Sequence, residues 1–141
     1  MKRRMKRDRI DILRDDLNLL INSDGDTVRF VWTEREGGYF NEVYGVYEGG
    51  REVEKELKIK GLGKVVDYKE DEMEYEYARI RVGECIVRFP WDADLSPIIG
   101  KEGVKFYYKG QKWTIDSPLD IGDTYGDERY SIVVLGVKSV D

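Results

Sequence analysis

The apolar residues change their period once, near Gly25, and that change limits what the chain can fold into. From Asp8 onward Ile10, Leu13, Leu17 and Leu20 recur at helical spacing, with Ile12, Leu19 and Ile21 widening the stripe. Asn22-Ser-Asp-Gly25 supplies the stop, so the spacing predicts an amphipathic helix over 10–22. A lone helix of that length is marginal in water. Its stripe must pack on the body of the domain or on the same helix of a neighbouring copy. Beyond Gly25 the period is two, and the chain reads as strands.

Val28, Phe30 and Trp32 alternate with polar residues. In 52–60, Val53, Leu57 and Ile59 share one face, and Glu52, Glu54, Glu56, Lys58 and Lys60 share the other. Leu62–Tyr68 reads as the partner strand after Gly61, and Ala78, Ile80 and Val82 alternate again. The pattern slips at Gly83-Glu84, which predicts a bulge or tight turn, and resumes with Cys85, Val87 and Phe89 facing inward. Val104, Phe106, Tyr108, the turn Lys109-Gly110-Gln111, then Trp113 and Ile115 form a hairpin pattern. The last run, Tyr130–Val137, is apolar on both faces, which suits a central strand. The expectation is a mainly β chain: a small antiparallel β-barrel or sandwich preceded by one N-terminal amphipathic helix. It forms a single β-rich domain over 10–141, behind a basic terminus at 1–9.

Composition narrows the chemistry. The 141 residues contain no histidine and one cysteine, Cys85. Ser-His-Asp and Cys-His catalysis, histidine metal sites, an internal disulfide and a multi-thiolate zinc site are excluded. No apolar run approaches the roughly 20 residues of a membrane helix. Met1–Arg9 is not followed by an uncharged apolar stretch, so no secretory signal is expected there. Net charge is −5, yet Lys2, Arg3, Arg4, Lys6, Arg7 and Arg9 crowd the first nine residues. This head reads as a solvated terminus, or as a contact for DNA, anionic lipid or an acidic neighbouring subunit. The acidic remainder disfavours nucleic acid overall. Asn18, Asn22, Asn41 and Gln111 are the only amides, and amides this scarce beside many Lys, Arg and Glu match a thermophile's composition.

Two segments fit strands poorly. Residues 37–50 carry paired glycines at each end with Tyr39, Phe40, Tyr44 and Tyr47 between, reading as a hairpin that projects from the body. Residues 90–103, opened by Pro90 and Trp91, form a second long connection. Long loops in small domains tend to carry function, and aromatic residues dominate interfaces. Partner or subunit contacts are therefore expected at Tyr39, Phe40, Tyr44, Tyr47, Trp91, Asp92 and Asp94.

Asp92 and Asp94, or Asp116, Asp120, Asp123 and Asp127, offer oxygen ligands, but neither run has calcium-loop spacing, and both read as solvated turns. No metal, cofactor or catalytic residue is expected. Tyr107, Tyr108 and Trp113 read either as a base-stacking platform or as core and cross-strand packing.

The run Ile86-Val-Arg-Phe-Pro-Trp-Asp-Ala-Asp94, the hairpin Val104–Ile115 with Gly110, Trp113, Thr114 and Ile115 at its marked positions, and the closing strand Tyr130–Val137 follow one another in a recognisable order. Over 83–137 this order resembles the C-terminal half of the head-closure, or head–tail joining, neck proteins of tailed bacteriophages. The leading helix and the charged 50–76 region lie outside it. The resemblance implies a non-enzymatic virion protein that forms a ring at the head–tail interface, links portal or adaptor to tail proteins, and can close the DNA channel with inward loops. Its place would be the virion, after assembly in the host cytoplasm. The alternative is a small-barrel nucleic-acid-binding module from a thermophile.

Overall fold

Side chains that alternate in and out give a strand one dry face, and a sheet of such strands buries that face by curling on itself. The computed structural model describes residues 8–69, 72–74 and 79–139. Its elements run α1 (Arg9–Asp24), β1 (Asp26–Glu36), β2 (Tyr39–Asn41), β3 (Val46–Glu48), β4 (Arg51–Val65), β5 (Met73–Glu74), β6 (Arg79–Ile80) and β7 (Cys85–Pro90). They continue with β8 (Lys105–Tyr108), β9 (Gln111–Ile115), β10 (Thr124–Tyr125), β11 (Glu128–Arg129) and β12 (Ser131–Lys138). Six strands close in the order β1-β4-β7-β12-β9-β8, all antiparallel. Closure is uneven: β1 meets β8 only at Arg29–Val31, whereas β1 and β4 pair from Asp26↔Gly61 to Glu36↔Arg51. The result is a barrel-like sheet from which the β1–β4 ribbon continues outward.

The inward set fills the interior. Val28, Phe30, Val87, Phe89, Phe106, Tyr108, Trp113 and Val134 are buried in one cluster. Phe30 lies between Phe89 and Phe106, with ring centroids 5.7 and 5.8 Å away. Such large rings need room, and glycines provide it. A Cβ on Gly61 would lie 2.8 Å from Phe89 and Val87, one on Gly63 2.5 Å from the Tyr108 ring, and one on Gly136 2.6 Å from Phe106. The Tyr108 hydroxyl also donates to the Gly63 carbonyl at 3.0 Å, giving a buried phenol its partner.

Gly61 corrects one expectation. It does not turn the chain, and Leu62–Tyr68 is not a separate partner strand: β4 runs unbroken through Gly61, whose lost side chain serves close packing. Further on, Ala78 lies outside the described residues, and β6 is only Arg79–Ile80. The slip at Gly83-Glu84 is a turn, with Gly83 at φ 88° and the Glu84 N–H donating to the Arg81 carbonyl. Lys109 and Gly110 both have positive φ, the two-residue turn that suits the twist of a hairpin.

Strand β12 is buried on both faces. Its outer residues Val133 and Leu135 join Val66, Ile80 and Ile86 in a second cluster outside the barrel. Helix α1 lies against β4 and β7. It extends slightly past the expected 10–22, and the Gly25 N–H caps it on the Ile21 carbonyl. Its buried residues are Ile10, Leu17 and Ile21. Ile12, Leu19 and Leu20 are exposed, a second correction: one helix resting on a convex sheet covers a narrower stripe than the sequence carries.

The close approach at Gly61 is testable. Gly61→Ala forces Phe89 and Val87 aside and should lower unfolding free energy by about 1–3 kcal/mol, the usual cost of overpacking, measured by urea denaturation.

Candidate interaction surface

The ribbon leaves the barrel wall and crosses a glycine joint before its tip. Gly37, Gly38, Gly49 and Gly50 all have φ near +72°, a region that favours glycine. The two segments also touch there: a Cβ on Gly38 would lie 2.6 Å from the Glu48 carbonyl oxygen, and one on Gly50 2.7 Å from that of Glu36. The Arg35 guanidinium donates to the Gly49 carbonyl at 2.9 Å. Beyond the joint, β2 and β3 pair as Tyr39↔Glu48, Phe40↔Tyr47 and Asn41↔Val46.

The tip is ordered by its own bonds. Asn41 Oδ1 accepts from the backbone N–H groups of Val43 and Tyr44 at 3.0 and 3.3 Å, while its Nδ2 donates to Glu48. Asparagine commonly organises turns this way. The Tyr39 hydroxyl donates to the other Glu48 oxygen, which pushes its pKa up from the ordinary tyrosine value. Phe40 and Tyr47 meet edge to face at 5.3 Å. The apolar surface nevertheless stays open: Tyr44 is 74 % exposed, and Tyr39, Phe40 and Tyr47 are each at least half exposed. Val43, at 86 %, and Val46 are exposed as well. Sequence reasoning passed over both valines, although their position beside Tyr44 and Gly45 marks the tip.

Tyr39, Phe40, Tyr44 and Tyr47 all lie on this hairpin, Phe40 and Tyr47 on one face and Tyr39 on the other, but Trp91, Asp92 and Asp94 sit on a different connection. Residues 91–103 cap the barrel, with Leu95 and Ile98 buried in the main cluster. Trp91 is 40 % exposed and has an internal partner, the Arg14 guanidinium 3.7 Å above its ring. Arg14 also donates to the Arg129 carbonyl from Nε at 3.0 Å and from Nη2 at 2.8 Å. One side chain thus links α1, the 91–103 cap and the β10–β11 hairpin. Asp92 is exposed. Asp94 accepts from the Ser96 N–H at 3.0 Å, and the Ser96 hydroxyl and N–H hold its carboxyl below the usual range. Lys101 pairs with Glu34 at 2.8 Å, tying the cap to the base of the ribbon.

Among the basic-head residues, Arg9 opens α1 with its guanidinium 5.9 Å from the Tyr125 ring. Lys2, Arg3, Arg4, Lys6 and Arg7 lie outside the described residues. Asp123 corrects the reading of solvated turns. It accepts from Arg88 Nε at 2.7 Å and from the Ser131 hydroxyl at 2.8 Å, and its own N–H donates to Ser131 Oγ. Among the described residues no group of three or more His, Cys, Asp or Glu is arranged to hold a metal ion. No described helix is long and apolar enough to cross a membrane. Tyr108 and Trp113 are core residues, so of the three ring residues weighed for base stacking only Tyr107 faces outward, between Arg29 and Lys112. Cys85 is fully buried, and desolvation pushes its thiol pKa up to about 12.

No family model matches the chain, and no curated protein matches it in sequence.

Two outcomes follow from this geometry. Arg14→Ala removes a stacked cation and two hydrogen bonds and should cost about 1–3 kcal/mol of stability by denaturant titration, while leaving the hairpin tip unchanged. Because its pKa is raised, Cys85 stays protonated at pH 8 in the folded protein. It should resist a thiol reagent there and react only once denaturant exposes it.

Proposed function

We propose that this protein is a non-enzymatic assembly component that binds a neighbouring subunit through the 39–47 hairpin. Its setting would be the ring of a tailed-phage head–tail interface, between portal or adaptor and tail. The observation that carries this reading is a preordered hairpin that exposes aromatic and branched side chains on both faces and at its tip, Phe40 with Tyr47 on one face, Tyr39 with Val46 on the other, and Val43 and Tyr44 at the turn. Large apolar side chains left exposed on one small element mark an interaction site. A tip already held by Asn41 and Glu48 loses little entropy when a partner covers it. The specific place in a virion rests on the resemblance of residues 83–137 to neck proteins.

The nucleic-acid alternative is less well supported. With Tyr108 and Trp113 in the core, a stacking platform reduces to Tyr107, and Glu54 and Glu56 sit beside Arg29 on the same outer face.

The test is native mass by light scattering over a range of concentration and salt. Wild type should form a discrete species larger than two copies at high concentration. Tyr44→Ser with Tyr47→Ser should shift that assembly to at least about tenfold higher concentration, the scale of one lost interface anchor, with an unchanged thermal midpoint. Assembly identical to wild type, or an equal loss of monomer stability, would overturn the hairpin's role.

A further inference from the structure

Strand β4 has two edges, and one lacks a strand partner over most of its length, though at its end Lys60 Nζ donates to the Asn22 carbonyl of α1 at 2.8 Å. Its first edge pairs with β1 from Arg51 to Gly61. Its second edge pairs with β7 only from Leu62 to Val65. Continuing the Leu62↔Arg88 register would set Pro90 opposite Lys60, and proline has no N–H to give the ladder. From Arg51 to Gly61, therefore, no strand and no backbone hydrogen bond among the described residues meets the second edge. A long strand edge without a partner is a template for another strand.

The side chains along it suit a second copy of the same strand. Glu52, Glu54, Glu56, Lys58 and Lys60 are all exposed on one face, acids first and bases after. An antiparallel copy brings the acidic half of one strand against the basic half of the other. Residues directly opposite each other share a face, so only registers that keep the faces matched are allowed. Centring on Leu57 sets Glu54 against Lys60 and Glu56 against Lys58, each twice, with Leu57 on Leu57 at the axis. Centring on Glu56 faces that glutamate with itself, and centring on Lys55 or Lys58 faces like cations. Among these registers only the Leu57 one opposes every outer-face charge from Glu54 to Lys60; Glu52 falls opposite Leu62, beyond the unpaired stretch.

We propose that the free protein forms a two-fold dimer by antiparallel pairing of its β4 edges about Leu57. This goes beyond the hairpin reading and uses different residues. An isologous contact closes at two copies and does not build a ring, so the two associations are separate.

Sedimentation equilibrium on the full chain tests it. At concentrations below those that give the larger species, wild type should show a monomer–dimer equilibrium. Glu54→Lys, which sets like charges opposite each other twice, should weaken dimerisation at least about tenfold, and Lys60→Glu should do the same. The double variant Glu54→Lys with Lys60→Glu should return to within about threefold of wild type, because the reversed pairs are again complementary. Circular dichroism melts check that each variant stays folded. A wild type that remains monomeric, single reversals without effect, or a double variant as weak as the singles overturns the edge pairing. A larger species that ignores these reversals but responds to Tyr44→Ser with Tyr47→Ser also overturns it, and leaves the hairpin reading standing.

Discussion

Three rings rest on three glycines, and the rest of the fold depends on that fit. A small barrel has little interior, and Phe89, Tyr108 and Phe106 fill it only because Gly61, Gly63 and Gly136 leave space where a methyl group would collide. Close-packed interiors tolerate neither the missing volume nor the surplus. The positions are not interchangeable: two of the glycines lie on β4, the strand that also forms half of the outward ribbon. The packing that holds the wall together thus also sets where the ribbon departs from it.

Around this interior the outer surface is divided. On one side α1 and the cluster of Val66, Ile80, Ile86, Val133 and Leu135 cover β4, β7 and β12. On the other, β1, β8 and β9 keep polar outer residues, including the row Lys58, Arg29, Tyr107 and Lys112 across neighbouring strands. Arg14 and Asp123, through partly buried bonds, and Lys101, through an exposed ion pair with Glu34, pin the loops to this frame. These contacts explain why the long 90–103 connection is a cap, while 37–50, with its bonds directed inward on itself, stands away from the wall.

Much of this was legible from residue order. The change of period at Gly25, the inward set of Cys85, Val87 and Phe89, the Lys109-Gly110 turn and the two-faced burial of β12 each follow from side-chain spacing. Gly61 did not, because a glycine in a strand pattern looks the same whether the chain turns there or another side chain needs the room. Leu20 did not either: helical spacing counts apolar residues, but the curvature of the sheet beneath decides how many are covered. For the candidate surface, Tyr39, Phe40, Tyr44 and Tyr47 were visible as aromatics between glycine pairs. The tie of Trp91 to Arg14 was hidden, since a contact between residues so far apart in sequence leaves no local pattern.

The unbroken course of β1 and β4 from barrel to joint has a mechanical consequence. Hydrogen bonds between antiparallel strands lie across the strand direction, and β1 and β4 both run from the tip into the wall, so a pull along the ribbon is carried by two backbones and reaches the wall as shear on the β1–β8 and β4–β7 ladders. A sideways push meets instead the glycine joint, where the backbone has the fewest side chains to hold it. The arm is built stiff in tension and compliant in bending, the behaviour of a tether.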